Sequence, residues 1–206
     1  MRPAHHRSAR LLAVAVLTLV LVACGKDKAA KVLSGYQLNP APVVTSITLP
    51  EASNGGKDFA FQPAQGDFML VYFGYTNCPD VCPTTLSDIK KALQKIGPTE
   101  AAKVDMAMIT IDPKRDTGDV LTSYVRSFIP TAHALRTDDD KILRKAAKTF
   151  GAAYTVTTNS AGDEEVSHTG NVYIVDHTGT VVLEWPFGIQ PPAMATDLQI
   201  LFSRKA

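Results

Sequence analysis

The stretch Asp67-Phe68-Met69-Leu70-Val71-Tyr72-Phe73-Gly74-Tyr75-Thr76-Asn77-Cys78-Pro79-Asp80-Val81-Cys82-Pro83-Thr84 decides the fold. Residues 68–73 are continuously apolar and aromatic, which predicts a strand buried on both faces. The strand runs straight into two cysteines four residues apart. A helical pattern follows, with Leu86, Ile89, Leu93 and Ile96 on one face and Gly97-Pro98 as its stop. Pro79 and Pro83 each suit a first helical turn, where a missing N–H has no partner to lose. Reactive groups between a buried strand and a helix stand where an open α/β sheet places its ligand site.

Working outward, Val104 to Ile111 predicts a second buried strand that ends at Asp112-Pro113. Helical spacing resumes at Val120, Leu121, Tyr124, Val125 and Phe128, and Pro130 ends it. A short strand near Ala134-Leu135 precedes a helix from about Asp139 to Phe150, stopped by Gly151. Tyr154 to Thr157 predicts a short strand, with a polar turn at Gly162-Asp163. Asn171 to Val175 and Thr180 to Trp185 flank a hairpin loop, and Pro191-Pro192 opens a final helix. On the N-terminal side, Val43-Val44 and Ile47-Thr48-Leu49 read as edge strands between prolines. The expected class is α/β: a thioredoxin-like mixed β-sheet flanked by helices, with an N-terminal extension.

The N-terminus is read as targeting sequence. Arg2, Arg7 and Arg10 precede an apolar run from Leu11 to Ala23, the length of a signal-peptide core and short for a membrane span. Small residues then lead into Cys24-Gly25, which resembles the bacterial lipoprotein cleavage signal. The expectation is a signal peptide over 1–23, lipidation of Cys24, a tether over 24–40 and one domain over 41–206. That places the protein outside the cytoplasm, in the periplasm, held by lipid to the membrane, with the inner membrane preferred. The leader also carries His5 and His6.

With Cys24 assigned to the lipid, the three cysteines of the 206-residue chain leave one pair, Cys78 and Cys82. Such a pair supports a disulfide or a shared metal ion. A helix N-terminus favours thiolates, which are nucleophiles and soft ligands suited to Cu(I). An inert structural disulfide is the bland alternative. A formal net charge of +1, with no charged run, argues against a nucleic-acid partner.

Three motifs in order carry a family resemblance. Gly74 to Pro83 closely resembles the signature of the Sco/SenC family. So do Thr110-Ile111-Asp112-Pro113-Lys114-Arg115-Asp116-Thr117 and Val166-Ser167-His168-Thr169 with the Val172 to Asp176 strand behind it. The resemblance spans roughly Asp67 to the C-terminus. It implies a thioredoxin-fold copper protein that assembles the CuA centre of cytochrome c oxidase. It implies one copper, Cu(I) or Cu(II), on Cys78, Cys82 and His168. The implied partners are the CuA-bearing oxidase subunit and a copper donor chaperone. Asp112 and Asp116 look like the family's acidic pair, supporting the ligands or touching a partner, with Asp112 preferred and helix capping as the alternative for Asp116. His168 itself is placed in a loop entering the Val172 strand; His133 and His177 are read as solvated.

Other readings use the same cysteines. A thiol–disulfide oxidoreductase would attack with one of them as thiolate, a role compatible with copper carriage. Val81-Cys82-Pro83-Thr84-Thr85 resembles a peroxiredoxin site, but Pro79 stands where that family places Thr or Ser. A purely structural lipoprotein would show no reducible thiol pair.

Overall fold

The computed structural model describes residues 32–162 and 164–204. The expected signal peptide, Cys24 and the start of the expected tether lie outside the described residues. Among the described residues, no helix is long and apolar enough to cross a membrane.

Strands β1 (Thr48–Glu51) and β2 (Lys57–Ala60) form an N-terminal hairpin. Strand β3 (Phe68–Gly74) has every residue buried, as its unbroken apolar run requires. Helix α1 (Val81–Ile96) follows, then a short α2 (Pro98–Ala101) and strand β4 (Val104–Thr110). Helix α3 (Gly118–Phe128), strand β5 (His133–Leu135) and helix α4 (Asp140–Phe150) complete the middle of the chain. Strands β6 (Tyr154–Thr158) and β7 (Glu164–His168) pair only with each other. Strands β8 (Val172–Asp176) and β9 (Val181–Trp185) and helix α5 (Pro191–Arg204) end the fold.

The main sheet runs β2-β1-β5-β4-β3-β8-β9. β3 is parallel to β4 and antiparallel to β8. This is the mixed sheet flanked by helices that the hydrophobic pattern predicts. Its topology positions the site. In a parallel pair both C-terminal ends lie at one sheet edge, and Gly74 is in register with Thr110. An antiparallel partner brings its start to that same edge, and Val172 is in register with Tyr72. The loops after β3 and β4 and the segment entering β8 therefore meet there, which joins three motifs far apart along the chain; Cys82 and His168 are 86 residues apart.

Several local details differ from the pattern reading. Gly97-Pro98 stops α1 as expected, yet Pro98 opens α2, because proline is tolerated in a first helical turn. Strand β7 has no apolar run; its residues alternate between half-buried and exposed, so composition gave no strand signal. Residues 33–36, read as tether from composition, lie on the folded body. Tyr36 exchanges both backbone hydrogen bonds with Glu184 of β9, each at 2.9 Å. Ser34 and Gly35 donate their N–H groups to the fully buried Asp197 carboxylate at 2.8 and 3.0 Å, and Trp185 Nε1 donates to it at 2.9 Å. Trp185, the single tryptophan, is thus core and buried with its polar atom satisfied. Gly35 has no room for a side chain, since a Cβ there would sit 2.7 Å from the Glu184 carbonyl.

Candidate metal centre

Helix α1 starts without the usual side-chain cap. Asp80 occupies the N-cap position and makes no capping hydrogen bond. Instead the Cys82 N–H, at the second helical position, donates to Cys78 Sγ at 3.3 Å. The loop between β3 and α1 therefore folds back so that one cysteine caps the helix carrying the other. Neither proline is the first helical residue; Val81 is. Pro83 falls third, where a missing N–H again costs no helical bond.

His168 ends β7 and does not sit in a strand-entry loop. Its Nε2 lies 3.6 Å from Cys82 Sγ. Its Nδ1 is 3.1 Å from the Thr169 carbonyl. A carbonyl only accepts, so Nδ1 carries the proton and Nε2 presents its lone pair to the sulfur. The sulfur and nitrogen atoms of Cys78, Cys82 and His168 all lie within 4.8 Å of one another. Among the described residues this is the one group of three or more such side chains placed to hold a metal ion. Both cysteines are free thiols. Two soft sulfurs and one imidazole fit copper or zinc and do not fit calcium or magnesium.

The surroundings are dry and aromatic. Cys82 is fully buried and Cys78 is 9% exposed. Tyr72 and Tyr75 meet the imidazole edge-on, with ring centroids 6.1 and 5.9 Å away. Burial pushes the Cys82 thiol up to about 12, against smaller opposing contributions from Tyr72 and the Tyr75 backbone. For Cys82, desolvation therefore outweighs the acidifying effect that a helix N-terminus predicts. Burial also holds the His168 imidazole below its usual pKa, opposed by the Thr169 carbonyl. Tyr75 is pushed up to about 12 by burial and then by Cys78 beside it.

The acidic pair divides its work. The Asp116 carboxylate is fully buried and accepts from the Thr76 N–H at 3.1 Å, the Thr76 hydroxyl at 2.5 Å and the Thr110 hydroxyl at 2.6 Å. It ties the cysteine loop to the end of β4. The capping role falls to Thr117, which accepts from the Val120 N–H. Asp112 instead pairs with Arg115, whose guanidinium lies 6.0 Å from the Tyr75 ring centroid. Thr76, Thr110, Tyr72 and Tyr75 escape a reading by residue type, because hydroxyls in a buried strand and its loop carry no periodic signal. Among the described residues the other two histidines lie elsewhere: His133, read from the sequence as solvated, is half-buried with Nδ1 2.7 Å from the Glu51 carboxylate, and His177 sits in the turn between β8 and β9.

Gly74 makes the close approach possible. A Cβ there would lie 2.6 Å from Tyr72 Cε1 and 3.1 Å from Cys82 Sγ and Met108 Cε. Gly74→Ala is expected to cost about 1–3 kcal/mol by overpacking. Metal affinity should fall with it, because one of the displaced atoms is the sulfur of Cys82, a candidate ligand. Denaturant unfolding together with a metal titration checks both.

A model of the SCO1/SenC family matches residues 51–203. A SCO2-like protein of Rickettsia prowazekii is 33% identical over 129 residues, 60% of this chain and 60% of its own length. The chain spans about 60% of the length of the curated relatives it matches first. The structure of Bradyrhizobium japonicum ScoI with copper bound is similar at a TM-score of 0.63 and 32% identity, covering 74% of this chain and 95% of that one. Apo Sco1 from Thermus thermophilus gives a TM-score of 0.67 at 30% identity, covering 85% of this chain and 98% of that one.

Proposed function

Because this chain belongs to the SCO1/SenC family, we propose that it binds one copper ion through Cys78, Cys82 and His168 and delivers it to the CuA-bearing subunit of cytochrome c oxidase. The observation that carries the reading is the donor set itself, two sulfurs and one nitrogen within 4.8 Å. Copper in the related ScoI structure supports it. Two thiolates suffice for Cu(I), which accepts low coordination. Cu(II) prefers a more tetragonal site and gains from the imidazole. A site that serves both states with the same residues suits a carrier. A copper donor chaperone would load it. Cys24, lipidated after removal of residues 1–23, would hold the domain at the membrane on the extracytoplasmic side. Asp116 and Asp112 would support the cysteine loop and its rim.

His168→Ala tests the ligand set. Loss of groups that merely support a ligand costs 10- to 100-fold in metal affinity, so loss of the ligand should weaken Cu(II) binding by at least about 100-fold. Cu(I) affinity should fall less, and the cysteines should still form and exchange a disulfide. Competition titrations in both copper states and the Cu(II) absorption spectrum read the result. Unchanged Cu(II) affinity and spectrum would make His168 a structural residue.

Thiol–disulfide exchange is the second reading. Cys78 Sγ and Cys82 Sγ lie within 4.8 Å of each other, and both are free. Closure of a disulfide needs only a modest approach of the two sulfurs. The reduced pair would then pass two electrons to a disulfide on the copper-accepting protein.

A further inference from the structure

Tyr72 is a polar group beside the ligands that copper carriage by Cys78, Cys82 and His168 leaves without a role. It lies on β3, two residues before Gly74, and is fully buried. Its hydroxyl is buried with no hydrogen-bond partner. Cys82 and Thr85 are its polar neighbours, short of a hydrogen bond of normal geometry. The Thr85 hydroxyl proton is already committed to the Val81 carbonyl at 2.8 Å. Gly74 leaves open the space that the Tyr72 ring and Cys82 Sγ share, since a Cβ there would press on both.

An unpaired buried hydroxyl is destabilising, and phenylalanine would fill the same volume without that cost. The hydroxyl therefore calls for a state in which it has a partner. A thiol sulfur is a weak acceptor, whereas an ionised acceptor makes roughly twice as strong a hydrogen bond as a neutral one. Metal binding converts Cys82 from thiol to thiolate, its proton leaving to solvent. The neighbouring sulfur then becomes the acceptor that the phenol lacks in the apo fold.

We propose that Tyr72 is a positioning residue of the metal centre: its hydroxyl donates a hydrogen bond to Cys82 Sγ once that sulfur is a metal-bound thiolate, and so limits the charge the sulfur gives to the metal. This rests on the copper reading above. The phenol touches the sulfur and not the metal, so it tunes the site without adding a ligand.

Tyr72→Phe is the test, in the whole protein, with Cu(II) as the probe. The apo variant should melt no lower than wild type, because only an unpaired hydroxyl is lost. Its Cu(II) complex should show the sulfur-to-copper charge-transfer band at longer wavelength, since a sulfur without the hydrogen bond donates more readily. Pulsed EPR in light and heavy water should lose one exchangeable proton coupled to the copper. A band that does not move, or an exchangeable coupling that persists, overturns the inference. So does an apo melting temperature lowered by several degrees, which would mean the hydroxyl is already partnered without metal. A wild-type complex with no sulfur-to-copper charge transfer would sink the copper reading and this inference with it. A wild-type band that Tyr72→Phe leaves in place sinks this inference alone.

Discussion

Cys82→Ser should lower Cu(I) affinity by at least about 1,000-fold, close to 4 kcal/mol of binding free energy. Cu(I) is held chiefly by soft sulfur, and a serine hydroxyl is neither soft nor ionised at neutral pH. One thiolate and one imidazole would remain, and that pair lacks the second sulfur that gives the site its preference. The loss should exceed that of His168→Ala in the Cu(I) state, and the order should narrow in the Cu(II) state. The fold should persist. Serine occupies less volume than cysteine at this buried position, and Cys78 Sγ can still accept the N–H of residue 82. The same substitution removes the capacity to form a disulfide, so it cannot by itself separate copper carriage from thiol exchange; His168→Ala does that. Competition against a calibrated Cu(I) chelator, with circular dichroism as the folding control, measures the effect. Cu(I) affinity within tenfold of wild type would exclude Cys82 as a ligand.

Asp116→Ala should be the most destabilising change at the site that touches no proposed ligand. The carboxylate is fully buried and accepts from three donors on two segments. Truncation leaves the Thr76 N–H and two hydroxyls unpaired inside the protein. Each orphaned group costs about 1–3 kcal/mol, and partial relaxation argues for a total of about 3 kcal/mol. Copper affinity should drop in parallel, because Thr76 is two residues from Cys78. Asp112→Ala should cost less, about 1 kcal/mol: its partner Arg115 is 33% exposed and can turn to water. Urea unfolding of both variants measures the difference. Equal losses would mean that the Asp116 hydrogen bonds do not hold the cysteine loop.

How much of this was legible before folding depends on what each motif needed. Residues 68–73 announce a buried strand because a strand covered on both faces needs apolar side chains at every position. The turn into α1 is announced by its prolines and by the stop at Gly97. Those signals are local, and local signals identified the mixed sheet, the order of its helices and the cysteine pair as the place of chemistry. The expectation that His168 is a ligand came from the family resemblance of the motif around it and not from periodicity, since a single histidine on a polar hairpin has no pattern of its own. Strand β7, which carries it, was invisible because both of its faces are partly wet and nothing in it demands burial.

The amino-acid sequence by itself determined which residue types were available for metal chemistry, and that two of them stand at a strand–helix junction. Only the tertiary structure decided that Cys78 caps the helix of Cys82, and that Asp116 rather than Asp112 grips the cysteine loop. It also decided that Tyr72 faces a sulfur with its hydroxyl unpaired, and that residues 33–36 belong to the folded body. The physical reason is common to all four. Each depends on what a buried polar atom meets across a turn or from a distant part of the chain, and no alternation of apolar and polar residues encodes that neighbour. The sheet's register sets it, by bringing the end of β3, the end of β4 and the start of β8 to one edge.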